Sequence, residues 1–198
     1  MRLLKHINEQ RTKNVQDFTI ISVINKNCKP FLKEMKGGDL LWRGTEKRVK
    51  DIKIFTPRTD RQPRDMDPGI HKYMDDMFKE YHGWKARSEG VFTTTDRRQS
   101  SLYGKPYVFF PIGNYKYLWN PKVNDLMGNL KELLILDISD LDYSNNKDNL
   151  EDLIKGYKST NLKQAAVRNS EVMFLCKSYY LVDSGGPNLY QRLEELLE

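Results

Sequence analysis

The sequence predicts an α+β domain. Apolar residues recur at helical spacing in the earlier part of the chain, strand-like runs crowd the later part, and the two do not alternate as in a parallel α/β fold. The 198 residues fit one domain, because chains of about 100 to 200 residues bury enough surface to stand alone. Hydrophobic residues at 38% and charged residues at 30% supply a core without the composition of a disordered chain.

Residues 1–36 form an N-terminal helical region in this reading, with Leu3, Leu4 and Ile7 on one face, although the β-branched run from Phe18 to Ile24 fits a strand equally well. Gly37 and Gly38 break the pattern, and DLLWRG follows as a short apolar strand that delivers Arg43 near its end. From Thr45 to Asp67, four arginines (Arg48, Arg58, Arg61, Arg64) and two prolines show no sustained period, which predicts a long surface loop.

Asp67-Pro68 announces a helix, since Asp caps free amides and Pro suits the first turn. Ile70, Tyr73, Met74, Met77, Phe78 and Tyr81 form its apolar face and Gly83 its stop. EGVFTTTD then reads as a strand entering a polar turn, QSSLYG as a helical turn, and PYVFFPIG and YKYLWNP as strands divided at Gly113-Asn114. LLILDI adds a strand. Helical spacing returns over Asn149 to Tyr157 and again over Leu162 to Val167. SEVMFLCKSYYLVD resumes strand character, and Gly185-Gly186-Pro187 ends it before a tail helix within 184–198.

The net charge of +6 is unevenly spread: between Arg43 and Arg64, eight basic residues face Glu46, Asp51 and Asp60 alone. Such a segment either attracts polyanions or is a solvated loop. No run is long and apolar enough for a membrane span, and the first residues lack the apolar centre of a secretory signal, so the expectation is no membrane and a cytoplasmic protein. Cys28 and Cys176 make neither a disulfide framework nor a zinc pattern, and His6, His71 and His82 add no metal cage. No metal is expected. Gly-x-Gly-x-x-Gly, P-loop and His-Glu-x-x-His signatures are missing, which removes the usual Rossmann, P-loop and zincin readings.

There remains a set of polar residues on strands: Arg43 closing DLLWRG, Thr93-Thr94-Thr95 closing GVFTTT, and Glu171 opening EVMFL. Singly, each has a structural explanation in an ion pair, a β-propensity or a strand edge. Together, in this order, they resemble the Arg-Ser-Glu class of ADP-ribosyltransferases. That family's aromatic-Arg-Gly is matched by Trp42-Arg43-Gly44, its aromatic-x-Ser-Thr-Ser by Val91-Phe92-Thr93-Thr94-Thr95, and its Glu/Gln-x-Glu by Asn169-Ser170-Glu171. Ser101-Leu102-Tyr103-Gly104 and the strand from Tyr107 match the turn and hydrophobic strand that the family places after its middle motif, and the likeness covers about Asp39 to Asp183. The segment Pro63 to Leu126 also resembles proteins of tailed bacteriophages, which implies a target inside an infected bacterium.

The resemblance implies two packed, mostly antiparallel sheets as a catalytic core over 39–183, with NAD as substrate. It implies that Glu171, Arg43 and Thr93 carry the reaction and that Gly44, Thr94, Thr95, Trp42, Phe92 and Tyr103 help to bind NAD. Glu171 stabilises the ribosyl cation, Thr93 holds Glu171, Arg43 grips phosphates, and Trp42, Phe92 or Tyr103 stacks on nicotinamide. Arg58, Arg61 and Arg64 are candidates to close over the pyrophosphate. Beside Val91, which stands in the aromatic's place, two departures from the family pattern matter. Threonines replace both serines, which keeps the hydroxyls, and Asn169 stands at the acceptor-facing position. The implied activity is transfer of ADP-ribose from NAD to a host protein or nucleic acid. The alternatives are an NAD glycohydrolase, or a basic nucleic-acid-binding or virion-associated protein with decayed transferase motifs.

Overall fold

The computed structural model describes residues 16–59, 61, 67–126, 130 and 147–198. The expected helix face at Leu3, Leu4 and Ile7, the expected strand LLILDI, and Arg64 lie outside them. The described part is an α+β fold with two antiparallel sheets, as expected. In chain order the elements are α1 (16–27), α2 (Lys29–Glu34), β1 (Trp42–Thr45), β2 (Ile52–Phe55), α3 (Pro68–His82), α4 (Ala86–Glu89), β3 (Val91–Thr93) and α5 (Arg97–Ser101). There follow β4 (Lys105–Pro111), β5 (Tyr115–Trp119), α6 (Lys147–Lys155), α7 (Leu162–Val167), β6 (Val172–Cys176), β7 (Tyr179–Val182) and α8 (Pro187–Glu195).

The larger sheet runs β1-β4-β7-β2 and the smaller β3-β6-β5. Their registers fix the geometry. Val108 pairs with both Trp42 and Val182 in the larger sheet, while Val172 pairs with both Thr93 and Trp119 in the smaller. A bridge between Trp42 and Thr94 joins the sheets, with Trp42 N–H donating to Thr94 O at 2.7 Å and Thr94 N–H to Trp42 O at 3.0 Å. Aromatic rings fill the space between the sheets: Phe109 lies 4.9 Å from Phe174 and 5.1 Å from Tyr179, centre to centre. Phe31 of α2 meets Phe110 edge-on at 5.8 Å. A second apolar cluster joins Leu118 and Met173 of the smaller sheet to Ile70, Met74 and Phe78 of α3, Ala86 of α4 and Leu150 and Ile154 of α6.

Helix α3 forms for the reasons its sequence gives. Asp67 Oδ1 accepts from Gly69 N at 2.8 Å and Ile70 N at 3.1 Å, Pro68 needs no donor, and Gly83 closes the helix at φ +81. Its expected face is buried at Ile70, Met74, Met77 and Phe78, while Tyr81 stays at the surface, where its hydroxyl donates to Glu151.

The open choice over Phe18 to Ile24 resolves to a helix, in keeping with a helical N-terminal region: Ile20, Ile24 and Cys28, four apart, bury one face in the main core. Two expectations are corrected. The basic stretch 45–67 is not loop throughout, because Ile52–Phe55 is an edge strand held by β7. SEVMFLCKSYYLVD divides near Lys177-Ser178 into β6 and β7, which belong to different sheets. Among the described residues, no helix is long and apolar enough to cross a membrane.

Candidate functional site

Arg43, in β1 of the larger sheet, and Glu171, just before β6 of the smaller, line one cleft beside the Trp42–Thr94 bridge. Arg43 lies in β1 opposite Tyr107, and its Nη1 donates to Phe92 O at 3.0 Å. Its guanidinium also sits 5.8 Å from the ring centre of Tyr179. Gly44 lets α5 approach: a Cβ there would lie 1.8 Å from Ser100 O, so no side chain fits. The cleft is lined as well by Trp42, Phe92, Thr93, Thr94 and Tyr103, so most of the expected site residues converge.

Glu171 precedes β6 and is withdrawn from water, with 13% of its side chain exposed. Arg87 Nη1 faces its Oε1 at 3.7 Å, an ion pair longer than a hydrogen bond. Among the described residues, no donor reaches that Oε1 within hydrogen-bond distance. Burial pushes the Glu171 carboxyl up to about 7; Asp125 adds to the rise, while Arg87 and Arg61 oppose it. The guanidinium groups of Arg61 and Arg87 lie 4.3 and 4.7 Å from the ring centre of Phe92. Burial, together with repulsion from Arg87 and Arg43, lowers Arg61 to about 10. Arg61 Nη1 and Arg87 Nε are buried without a hydrogen-bond partner among the described residues. Two forked donors with spare N–H groups beside Arg43 form a cradle suited to an anion with several oxygens.

The threonine run is split by the fold. Thr93 is buried, and its hydroxyl donates to Val172 O at 3.1 Å, so it fixes the strand next to Glu171 rather than the carboxylate itself. Thr94 serves the joint between the sheets, its hydroxyl donating to Gln99 Oε1 at 3.1 Å. Thr95 points away into a neighbouring groove with Asn169. Its hydroxyl lies 2.5 Å from Asn169 Oδ1 and 3.0 Å from Ala166 O. Asn169 has φ +54, a conformation asparagine tolerates better than most residues.

The three aromatics expected near NAD differ in availability. Trp42 is 4% exposed, stacked on Tyr190 at 6.1 Å and covered by Arg97 at 4.9 Å. Phe92 carries the two guanidinium groups described above. Tyr103, 46% exposed, is the most open to a ligand.

Arg61 stands out in the sequence within the basic run, and Arg58 lies outside the cleft lining. Arg87 and Asp125, which also line it, carry no local signal: Arg87 is one cation in a four-residue helix and Asp125 lies beyond the last residue of β5. Cys28 and Cys176 are buried, and desolvation pushes both thiols up to about 12, so they are packing residues rather than nucleophiles. His82 Nε2 bonds Ile154 O at 2.8 Å, a packing role. Among the described residues, no group of His, Cys, Asp or Glu has the arrangement to hold a metal ion. Compared with family models, curated proteins and solved structures, the chain matches none.

Proposed function

We propose that this chain is a mono-ADP-ribosyltransferase that breaks the nicotinamide–ribose bond of NAD and transfers ADP-ribose to a macromolecular acceptor. The observation that carries this reading is the buried Glu171 carboxylate, with an oxygen that takes no hydrogen bond from the described residues, in a cleft shared with Arg43, Arg61 and Arg87. Buried polar atoms without partners are rare in folded proteins, and several around one cleft mark a ligand's place.

In this reading Arg43, Arg61 and Arg87 hold the diphosphate and Tyr103 faces the nicotinamide. As the bond between ribose C1 and the pyridinium nitrogen breaks, its electron pair leaves with neutral nicotinamide, and the ribose becomes cationic. The Glu171 carboxylate stabilises that cation from a site with little water, where a fixed charge acts more strongly than in bulk. The acceptor nucleophile then forms a bond to C1 and loses its proton. Arg87 keeps part of the Glu171 population ionised against the cost of burial.

The test is incubation with NAD labelled in its adenylate half and a bacterial lysate, following nicotinamide release and label on macromolecules. Release with retained label is the expected result. Release without retained label identifies a glycohydrolase, and no release from folded protein overturns the reading.

A further inference from the structure

Helix α4 has four residues and its own N-cap residue, Lys85, makes no side-chain capping bond. So short a helix does not hold itself in water, yet it carries Arg87 to Glu171. Its anchor comes from α3. Asp75, 3% exposed, accepts from the backbone N–H of Arg87 at 2.8 Å and of Ser88 at 3.2 Å, both on Oδ1. Those are free amides of a first helical turn, satisfied by a carboxylate 12 and 13 residues away in sequence rather than by the cap residue. The Ser88 hydroxyl donates to Asp75 Oδ2 and stands 3.1 Å from His71 Nε2, which accordingly carries the proton. Ser88 O in turn accepts from the Arg61 backbone N–H at 3.4 Å. One buried carboxylate thus ties together the two segments that bring Arg87 and Arg61 over Phe92.

We propose that Asp75, assisted by Ser88 and His71, is a positioning residue for the site: it caps α4 from a distance and so holds the Arg87 guanidinium against Glu171. The kinetic meaning of this arrangement rests on the transferase reading above; the arrangement itself does not. His71 is neutral near neutral pH, because burial lowers its basicity more than the neighbouring Asp75 raises it. Among the described residues, the charged or titratable groups facing Glu171 are Arg87 from α4, Arg61, Asp125, Tyr157 after α6 and Tyr103 after α5. Of these, Arg87 is the cation that Asp75 holds.

The experiment reads the Glu171 carboxyl directly, by carbon-detected magnetic resonance of glutamate-labelled protein, with Glu171→Gln identifying the signal. Arg87→Met, which keeps the stem on Phe92 and removes the charge, is expected to raise the titration midpoint by roughly one unit or more. Asp75→Asn is expected to raise it in the same direction, Ser88→Ala by less, and neither to move it further in the Arg87→Met background. Thermal melts establish that each variant is folded. An unchanged midpoint in folded Asp75→Asn overturns the proposal, as does an equal shift with Arg87 already replaced. If Asp75→Asn does not fold, an unchanged midpoint in Ser88→Ala overturns it instead. Because the midpoint is read without NAD, a protein with no transferase activity still tests the positioning role.

Discussion

The two apolar clusters that share the smaller sheet treat their polar groups differently. In the cluster between the sheets, polar atoms close on the protein itself: Tyr107 Oη accepts from Val49 N at 3.2 Å, and the hydroxyls of Tyr115 and Tyr117 both donate to Glu34. In the cluster behind the smaller sheet, Tyr157 Oη is buried without a hydrogen-bond partner among the described residues, and Glu171 Oε1, Arg87 Nε and Arg61 Nη1 stand in the same condition at the adjoining cleft. Burying a polar group without a hydrogen bond costs about 1 to 3 kcal/mol. The first cluster therefore stabilises the fold, and the second gives up some stability to bury these groups, which in the proposed reading are the ones that meet the ligand.

The largest effects should separate these roles. Phe109→Ala, in the first cluster, is expected to cost about 3 to 5 kcal/mol in urea unfolding, while nicotinamide release per folded molecule stays near that of the parent protein. Glu171→Gln, beside the second, is expected to lower the rate of nicotinamide release by roughly 10² to 10³ without loss of fold. Near-parental turnover in that variant would end the proposed role of the carboxylate.

The same substitution tests the stability cost through pH. The Glu171 carboxyl is at about 7 when folded and about 4.3 when unfolded. Between those values the folded chain keeps a proton that the unfolded chain has released, so stability falls as pH rises, and the full cost is present above pH 7. It is on the order of 4 kcal/mol. Glu171→Gln should therefore lose this fall, which chemical denaturation at pH 4 and pH 8 would detect. Parallel pH profiles for the two proteins would contradict a raised carboxyl.

Arg43→Lys keeps the charge but loses the fork, and is expected to weaken NAD binding roughly ten- to hundredfold, measured as KM or by calorimetry. The smallest effect is Asp67→Ala, which removes the α3 cap for about 1 kcal/mol and should leave turnover unaltered.

These regions also differ in how legible they are from sequence. Helix α3 is readable to its ends because its cap, proline, apolar period and closing glycine are all local. Strand β2 is not, because its partner β7 lies far along the chain and Ile52-Lys53-Ile54-Phe55 sits among basic residues. The change of sheet between β6 and β7 leaves no glycine or proline to mark it. At the site, Arg43 and Glu171 stand out as charges on apolar strands. Arg87 and Asp75 do not, since the pairing of α4 with α3 is purely tertiary. The threonine run shows hydroxyls at the right place but not that they face three different neighbours, which depends on the joint between the sheets.

That joint bears on how such a chain tolerates change in length. Arg43 and Glu171 are separated by most of the domain in sequence, yet their spacing in space is set where Trp42 and Thr94 exchange two hydrogen bonds. The turn at Gly113-Asn114 lies at the far ends of β4 and β5, where a Cβ on Gly113 would meet open space and the Gly113 N–H donates to Asn27 O at 2.9 Å, away from the cleft. Residues inserted at that turn would lengthen the protein without altering the distance across the cleft. A single residue inserted between Phe92 and Thr95 would shift the register of the joint and turn the side chains of one wall to the opposite face.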